Sequence, residues 1–403
     1  TRSAAAQVAQ LCALVEAQLP ETPAGIEPAV LEGVFLFALV WSLGALLPAT
    51  SREKFSKVLR DLAAVPLPAF SPFELGFDQA ERAFFPWSAR VAEFKPAEDA
   101  PVERILVPTA DTERLGCLLR LLQLRGTPAL LLGETGASKT AVVKNYLAAL
   151  DSGRNSVLNV NFSARTGSID LQRAIEGPCD KRRPGQYGPR GGKKLVVFID
   201  DLHMPRADKY GTQEPHALLK LLLEKGYVYE RGGGLERRQY RDLLFIACAQ
   251  PSSAGAQPLD ARLTRLFSAV EVNSPDEECT AGIFTTLLMR HLDKFPNETK
   301  ALVPGLASAT ARFNSLTAAR LPRTPVKFHY VFNLRDVARV FQGLLRANLT
   351  NFSKPEQLLR LWKHELQRVY ADRLADEADL AALMEPLPKL VSTTFGENFV
   401  EFM

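Results

Sequence analysis

Leu130-Leu-Leu-Gly-Glu-Thr-Gly-Ala-Ser-Lys-Thr140 is a short apolar run followed by the pattern Gly133-x-x-Gly136-x-x-Lys139-Thr140. Backbone N–H groups that converge at the start of a helix bind phosphate oxygens, and glycines let the backbone approach without side-chain clashes. The lysine adds a positive charge for the β- and γ-phosphates, and the threonine hydroxyl can ligate Mg²⁺. The stretch therefore predicts a phosphate-binding loop, although Ser138 stands where the strict pattern has a glycine before the lysine.

The flanking sequence supports this prediction. Residues 128–132 are a compact apolar strand, and residues 141–150 have helical apolar spacing. Further along the chain, Leu195-Val-Val-Phe-Ile-Asp200-Asp201 has the unbroken apolar run of a buried parallel strand and ends in two acids. We expect this strand end to lie near the phosphate loop of a neighbouring strand, where Asp200 can hold Mg²⁺ through water. The alternative is that the acidic pair caps a following helix.

The two motifs together predict a site for ATP or ADP with Mg²⁺. The residues expected to bind the nucleotide are Gly133, Thr135, Gly136, Ala137, Ser138, Lys139, Thr140 and Ala141. Those expected at the metal are Thr140 and Asp200.

Composition is that of a globular protein with several domains. The chain has 403 residues, 46% of them hydrophobic and 23% charged. Its net charge of +4 is small for this length and argues neither for nor against nucleic acid, which is not expected as a partner. The five cysteines form no C-x-x-C pair, which argues against metal and disulfide frameworks and fits a reducing compartment. The most apolar segment, 34–47, is shorter than the ~20 residues that a membrane helix needs, so no membrane contact is expected.

Patterning along the chain divides it into four parts. Residues 1–65 are helical, and the chain begins without Met inside a helical pattern, as a piece of a longer protein would. Residues 66–100 are rich in proline and aromatic residues and predict a connector with one or two short strands. Residues 101–273 alternate strands and helices, which predicts an α/β domain with a mainly parallel sheet. Residues 274–403 are dominated by helical periodicity, which predicts, among others, one continuous helix over 355–374.

Within the α/β part, the basic segment 181–194 predicts a solvated surface loop, with nucleic-acid contact as the weaker alternative. Two histidines, His203 and His216, follow the acidic pair, but no third ligand has metal spacing. We therefore expect ordinary surface or capping roles for both.

Several longer strings resemble the dynein heavy chain motor, and among its six AAA+ modules they are most similar to the third. The strings are Ile105–Thr112, Asn161–Arg165, Phe198–Pro205, Tyr210–Gln213, Phe328–Asp336 and Phe341–Gly343. Two more, Phe35–Leu43 and Arg52–Phe55, resemble the segment leading out of the second module's lid. The resemblance thus covers nearly the whole chain. The sequence motif Asp-Asp-x-x-Met-Pro at 200–205 is more similar to that of axonemal dyneins than to that of cytoplasmic dyneins.

The resemblance implies an AAA+ P-loop core with a mainly parallel sheet, followed by a helical lid domain, and it makes 1–65 the end of the preceding module. The implied partners are the adjacent AAA+ modules of the same heavy chain, the microtubule through other parts of that chain, and other dynein chains. It implies a place in the cytoplasm and cytoskeleton, in the axoneme of a cilium or flagellum. The implied function is a regulatory nucleotide-binding module in ATP-driven movement along microtubules.

The resemblance also gives roles to residues that spacing leaves open. Gln250 ends the strand similar to sensor 1, where the family usually has Asn. Arg265, or as second choice Arg262, would be the arginine finger that reaches a neighbouring module's nucleotide. For either arginine, a surface salt bridge is the alternative. Arg335 matches sensor 2, a lid arginine that can grip phosphate oxygens.

Two further segments take a role from the resemblance. Residues 105–108, and among them Ile105, Val107 and Pro108, would lie against the adenine. Residues 227–234 are similar to a hairpin insert.

Three departures from an active ATPase affect the γ-phosphate end. Asp201 stands where AAA+ proteins place a catalytic Glu, and a displacement of ~1 Å can cost on the order of a hundredfold in rate. Ser138 and Gln250 are the other two. The resulting hypothesis is tight binding with slow or absent hydrolysis.

Three alternatives to this reading stay open. The first is a structural ring module with permanently bound nucleotide. The second is a module of a cytoplasmic dynein. The third is a free-standing remodelling ATPase of the midasin or MoxR type, which the N-terminal helices disfavour.

Overall fold

The computed structural model describes residues 3–19, 26–94, 105–232, 234–251, 258–397 and 399. The chain divides into two compact units. The first is drawn from Thr1–Glu93, Pro108–Glu134 and Lys139–Val272, and the second from Phe94–Val107, Thr135–Ser138 and Asn273–Met403. In the part of the chain that the structure describes, no helix combines the length and apolar character needed to cross a membrane.

The first unit begins with three helices and a two-stranded hairpin. These are α1 Ala4–Gln18, α2 Pro28–Ser42, α3 Ala49–Leu62, β1 Leu75–Asp78 and β2 Ala83–Pro86. The α/β part follows with α4 Ala110–Leu124, β3 Ala129–Leu132, α5 Lys139–Ala148, β4 Asn155–Asn161, α6 Ser168–Glu176, β5 Cys179–Arg183, β6 Gln186–Pro189, β7 Lys194–Asp200, α7 Glu214–Lys225, β8 Tyr227–Tyr229, β9 Arg237–Tyr240, β10 Leu243–Ala249, α8 Ala261–Thr264 and β11 Ser268–Glu271.

Five strands form a fully parallel sheet in the order β11-β3-β10-β7-β4. The inner strands β7 and β10 are buried along nearly their whole length, as the unbroken apolar runs predict. The outer strand β4 alternates between half-buried and exposed residues, because only one of its faces is covered. The predicted α/β fold with a mainly parallel sheet is confirmed.

The N-terminal helices close the β11 edge of this sheet. An edge strand carries backbone N–H and C=O groups without a neighbouring strand. The Gln10 side chain, 1% exposed, accepts from the Ala269 N–H at 3.1 Å and donates to the Ala269 carbonyl at 3.2 Å. The next outward N–H of β11, at Glu271, donates to the Ala45 carbonyl at 3.0 Å. A side chain of α1 and the backbone of the turn between α2 and α3 thus replace a sixth strand.

A second sheet lies outside the parallel one and has the order β5-β6-β9-β8. Strands β5 and β6 form an antiparallel hairpin over residues 179–189, so the prediction of a loop at 181–194 was wrong for most of that segment. The glycines and prolines that suggested a loop supply its turn at 184–185 and its end at 189–192. The hairpin expected at 227–234 is present as β8 and β9. Strand β6 pairs with β9 in parallel, which joins the two hairpins.

The second unit is helical. Its helices are α9 Glu277–His291, α10 Asn297–Ala301, α11 Val303–Arg320, α12 Leu334–Leu344, α13 Pro355–Leu366, α14 Glu377–Met384 and α15 Leu387–Phe395. A single π-helical turn, Gln367–Ala371, follows α13 where the sequence pattern predicts a continuous helix. Fully buried Trp362 lies at the centre of the core, and its indole N–H donates to the Thr310 hydroxyl at 2.8 Å.

Candidate nucleotide-binding site

Three strands of the parallel sheet bring the predicted site residues to one edge. β3 ends in the glycine loop, β7 ends at Asp200, and β10 ends just before Gln250. The strand β10 lies between the other two, so β3 and β7 are not adjacent as the sequence suggested. A local sequence pattern predicts a strand but does not indicate which strands are its neighbours in the sheet. Ligands of open α/β sheets bind in the crevice outside the carboxyl ends of the strands, which is where these residues meet.

The glycine loop provides a cradle of backbone donors. Gly133 donates its N–H to the Ala249 carbonyl at 3.2 Å, which attaches the loop to β10. The next five N–H groups, those of residues 134–138, donate to no acceptor in the part of the chain that the structure describes. A Cβ on Gly133 would lie 2.2 Å from the Val272 carbonyl oxygen, so no side chain fits there. The loop leads directly into α5, and this arrangement fits phosphate oxygens.

Two residues of the loop have left-handed backbone conformations. Gly136 has φ +88°, which glycine adopts without strain. Ser138 has φ +61°, at the position where the strict loop pattern has glycine. A side chain in this region costs roughly 1–2 kcal/mol. The pattern has glycine at this position because the backbone there is left-handed. Serine can adopt the same conformation, but at an energetic cost.

Lys139 and Thr140 begin α5 and point their polar atoms toward the loop and β7. The Lys139 ammonium donates to the Gly133 and Glu134 carbonyls at 2.8 and 2.7 Å, which holds it beside the donor cradle. The Thr140 hydroxyl donates to Asp200 Oδ1 at 3.1 Å. A hydroxyl beside a carboxylate is the oxygen pair that Mg²⁺ takes together with phosphate and water. Bound Mg²⁺ would neutralise phosphate charge there, with Thr140 and Asp200 as its protein ligands.

The turn after β7 presents Asp201 outward. Asp201 is exposed and has φ +55°, a conformation that Asp tolerates better than most residues. Its N–H donates to Asp200 Oδ1 at 3.1 Å. The following residue, Leu202, is held on both sides: its N–H donates to the Cys248 carbonyl at 2.9 Å, and its carbonyl accepts from His216 Nε2 at 2.6 Å. The carboxylate of Asp201 thus stands on a fixed turn.

For His216 a surface or capping role was expected; the surface position was wrong, because His216 is 4% exposed, while its ring bonds the backbone carbonyl of Leu202. Its ring stacks on Phe162, with centroids 6.4 Å apart, and burial lowers the pKa of this histidine. The signal that could have indicated this is helical spacing, because Leu219 follows three residues later on the same face. His216 thus stabilises the turn at Asp200-Asp201 through its hydrogen bond to the Leu202 carbonyl.

A second histidine was also missed as part of the site. The Gln250 N–H donates to His203 Nδ1 at 3.4 Å, which places His203 beside the strand end that carries Gln250. Burial lowers the pKa of His203; the negative charge of Asp201 opposes this shift and the positive charge of Lys139 adds to it. Burial also raises the pKa of the Cys248 thiol, two residues before Gln250. Both groups are neutral at pH 7.

The two arginine-finger candidates lie at α8. Arg265 is exposed, pairs with Glu224, and donates to the Arg262 carbonyl at 3.3 Å. Arg262 is exposed too. The ion pair between Arg265 and Glu224 agrees with the alternative that Arg265 forms a surface salt bridge. A finger role toward another module's nucleotide stays a prediction for both residues.

The remaining predicted residues are distributed as follows. In the second unit, Val107 is buried in the helical core, Ile105 packs against it, Ala137 is buried and Thr135 is half-buried. In the first unit, Pro108 is half-buried and Ala141 is exposed on α5. Arg335 is exposed in the first turn of α12, where its N–H donates to the Asn333 side chain at 2.9 Å. The adenine and sensor 2 roles stay predictions.

Comparison with known proteins gives three family matches along the chain. Residues 94–275 match the P-loop containing dynein motor region, residues 306–397 match the AAA+ lid domain, and residues 2–89 match the dynein heavy chain AAA lid domain.

Similar proteins include Dynein-1-alpha heavy chain, flagellar inner arm I1 complex, from Chlamydomonas reinhardtii, 40% identical over 96% of this chain. Dynein axonemal heavy chain 10 from Homo sapiens is 39% identical over 97% of it. Dynein beta chain, ciliary, from Heliocidaris crassispina is 36% identical over 93%. The chain spans 9% of the length of each of these relatives.

Proposed function

This chain belongs to the dynein heavy chain family of AAA+ proteins, and from that premise we propose that it is the third AAA+ module of an axonemal heavy chain. Residues 1–65 are then the end of the preceding module's lid, 101–273 the nucleotide-binding domain and 274–403 the module's own lid. The order of the family matches, with a lid on each side of one P-loop region, supports this arrangement. The names of the relatives support a place in a cilium or flagellum.

The module binds ATP or ADP with Mg²⁺. The observation that carries this proposal is the hydrogen bond between Thr140 and Asp200, which joins the loop helix to the end of a strand that is not adjacent to β3. Around it lie the donor cradle of the loop and the Lys139 ammonium. In the motor, adjacent modules would sense the nucleotide state as a rigid-body shift, and movement along microtubules would use other parts of the heavy chain.

Hydrolysis at this site is slow. Asp201 carries its carboxylate on a stem one carbon shorter than that of Glu, and its turn is fixed by the bonds at Leu202. The carboxylate is therefore set back by about one C–C bond from where a Glu carboxylate would reach, and a displacement of ~1 Å costs on the order of a hundredfold. Nucleotide binding rests on backbone donors, Lys139 and Mg²⁺, and does not need Asp201.

Binding is tested by titrating the purified chain with a fluorescent ADP analogue in the presence of Mg²⁺. Lys139→Ala should weaken binding at least tenfold, about 1.4 kcal/mol, because a charge-assisted contact with phosphate is lost. Lys144→Ala is the matched control, since Lys144 is exposed on the same helix. Equal affinities for the wild type and Lys139→Ala would contradict a phosphate site at the loop.

Hydrolysis is tested by single-turnover measurement with radiolabelled ATP. Asp201→Glu should raise the rate by one to two orders of magnitude if carboxylate reach limits it. Wild-type turnover near one per second would refute slow hydrolysis. A bound nucleotide that survives days of dialysis would instead support a structural module with permanent nucleotide, whereas release within seconds supports regulation.

A further inference from the structure

Asn333 lies against the phosphate loop. A Cβ built on Gly136 would be 2.7 Å from Asn333 Cγ and 3.0 Å from its Cβ and Oδ1. The Asn333 side chain thus occupies the space that any side chain at 136 would need. Gly136 and Asn333 belong to the same compact unit, which includes Thr135–Ser138 together with the helical residues. The tip of the loop is therefore packed with the lid.

The Asn333 side chain is held in place by the start of α12. Its Oδ1 accepts from the Arg335 N–H at 2.9 Å, and the Asn333 N–H donates to Asp336 Oδ2 at 3.0 Å, which completes a reciprocal capping box. Asp336 is 2% exposed and its other oxygen accepts from Arg373 Nη1 at 3.2 Å. A buried carboxylate with an arginine partner is a fixed anchor, because breaking the pair would leave an uncompensated buried charge.

We propose that Asn333 is a positioning residue that clamps the phosphate loop and thereby slows the release of bound nucleotide. This inference rests on the proposed nucleotide-binding function and adds a residue to it. The loop N–H groups at 134–138 bind phosphate only while the loop keeps its shape. Asn333 covers Gly136, whose backbone has wide conformational freedom because it carries no side chain, and so restricts the movement that would open the cradle.

The cap and the clamp are separable by substitution. Asn333→Ser keeps an oxygen that can cap α12, because Ser and Asn are comparable N-caps, but it removes the amide group over Gly136. Asn333→Asp keeps both the shape and the cap and adds a negative charge beside the loop. Asp276→Ser is the matched control, since Asp276 caps α9 in the same unit by accepting from the Cys279 N–H at 2.7 Å.

The experiment measures release of a fluorescent ADP analogue from the 403-residue chain by stopped flow, with urea unfolding of each variant alongside. Asn333→Ser should release the analogue about tenfold faster, with an unfolding midpoint no lower than that of Asp276→Ser. Asn333→Asp should also release faster, and the difference should shrink at high salt because charge repulsion is screened. Asp276→Ser should release at the wild-type rate.

Two outcomes separate the hypotheses. If the wild type binds the analogue and Asn333→Ser releases it at the wild-type rate, Asn333 is only a helix cap and the inference is overturned, even if the added charge of Asn333→Asp speeds release. If the wild type binds no analogue, the proposed function itself fails, and this inference fails with it.

Discussion

Gln10→Ala removes the side chain that closes the β11 edge of the parallel sheet. In the wild type, Gln10 accepts from the Ala269 N–H and donates to the carbonyls of Ala269 and Trp41, the latter at 2.6 Å. All three bonds lie in a buried site, because Gln10 is 1% exposed. An alanine there reaches none of these three partners.

The magnitude follows from these contacts. The orphaned Ala269 N–H costs about 1–3 kcal/mol, and each lost bond to a carbonyl costs about 0.5–1.5 kcal/mol. The expected destabilisation of the first unit is therefore about 2–6 kcal/mol. Gln7→Ala, three residues earlier on the same helix and only half-buried, should change stability by less than about 0.5 kcal/mol.

Gln10→Glu sharpens the test, because it keeps the shape but replaces the donor with a carboxylate facing two carbonyl oxygens. Burial would raise the pKa of this new carboxyl in the folded state above the unfolded value of about 4.3. The folded state then binds more protons than the unfolded one, so stability is lost as pH rises through the folded pKa. The variant should be closer to wild type at pH 5 than at pH 8.

The assay is hydrogen exchange of the β11 amides with urea unfolding in parallel. Local exchange is needed because a chain with two compact units does not unfold as one transition. Ala269 should lose protection in Gln10→Ala and keep it in Gln7→Ala. If the Ala269 amide stays protected and the stability loss is below 0.5 kcal/mol, the sheet edge is closed by something other than Gln10.

Two further predictions concern the candidate site. Ser138→Gly should stabilise the second unit, to which Thr135–Ser138 belong, by up to about 1.5 kcal/mol, because it relieves left-handed strain of roughly 1–2 kcal/mol at the cost of ~0.5–1 kcal/mol of chain entropy. The comparison variant Ser156→Gly in β4 should destabilise the first unit, and thermal unfolding of both variants is the measurement. His216 has a folded pKa lowered by burial, so the unfolded state binds more protons below about pH 6.5 and stability falls as pH drops. His216→Gln should therefore lose less stability between pH 7 and pH 5 than the wild type in urea titrations, and an equal loss would contradict the buried neutral imidazole.

The local parts of the fold and site were predictable because their signals lie close together in the sequence. The apolar run before Gly133 and the loop after it are one continuous pattern, and the strand before Asp200 is another. Both were found where predicted. The hydrogen bond between Thr140 and Asp200 confirms that the two motifs meet.

Features that depend on long-range pairing were not predictable. One such feature is the strand order, in which β10 lies between β3 and β7. No local sequence pattern encodes this order. Gln10 looks like any polar residue on a helix, and its role appears only when Ala269 is beside it. His216 was misassigned because a polar side chain on a helix is usually exposed.

The pairing of β6 with β9 joins the β5–β6 and β8–β9 hairpins, which are far apart in the chain. Gln239 donates its N–H to the Gly185 carbonyl at 2.9 Å, and Arg241 donates to that of Tyr187 at 3.0 Å. The Arg238 guanidinium also lies over the Tyr187 ring, 5.2 Å from its centroid. The β5–β6 hairpin follows α6 and the β8–β9 hairpin follows α7. A force on the tip of either hairpin is therefore transmitted to both helices. We therefore expect the two hairpins to move together. Neither can bend alone without breaking the hydrogen bonds between β6 and β9.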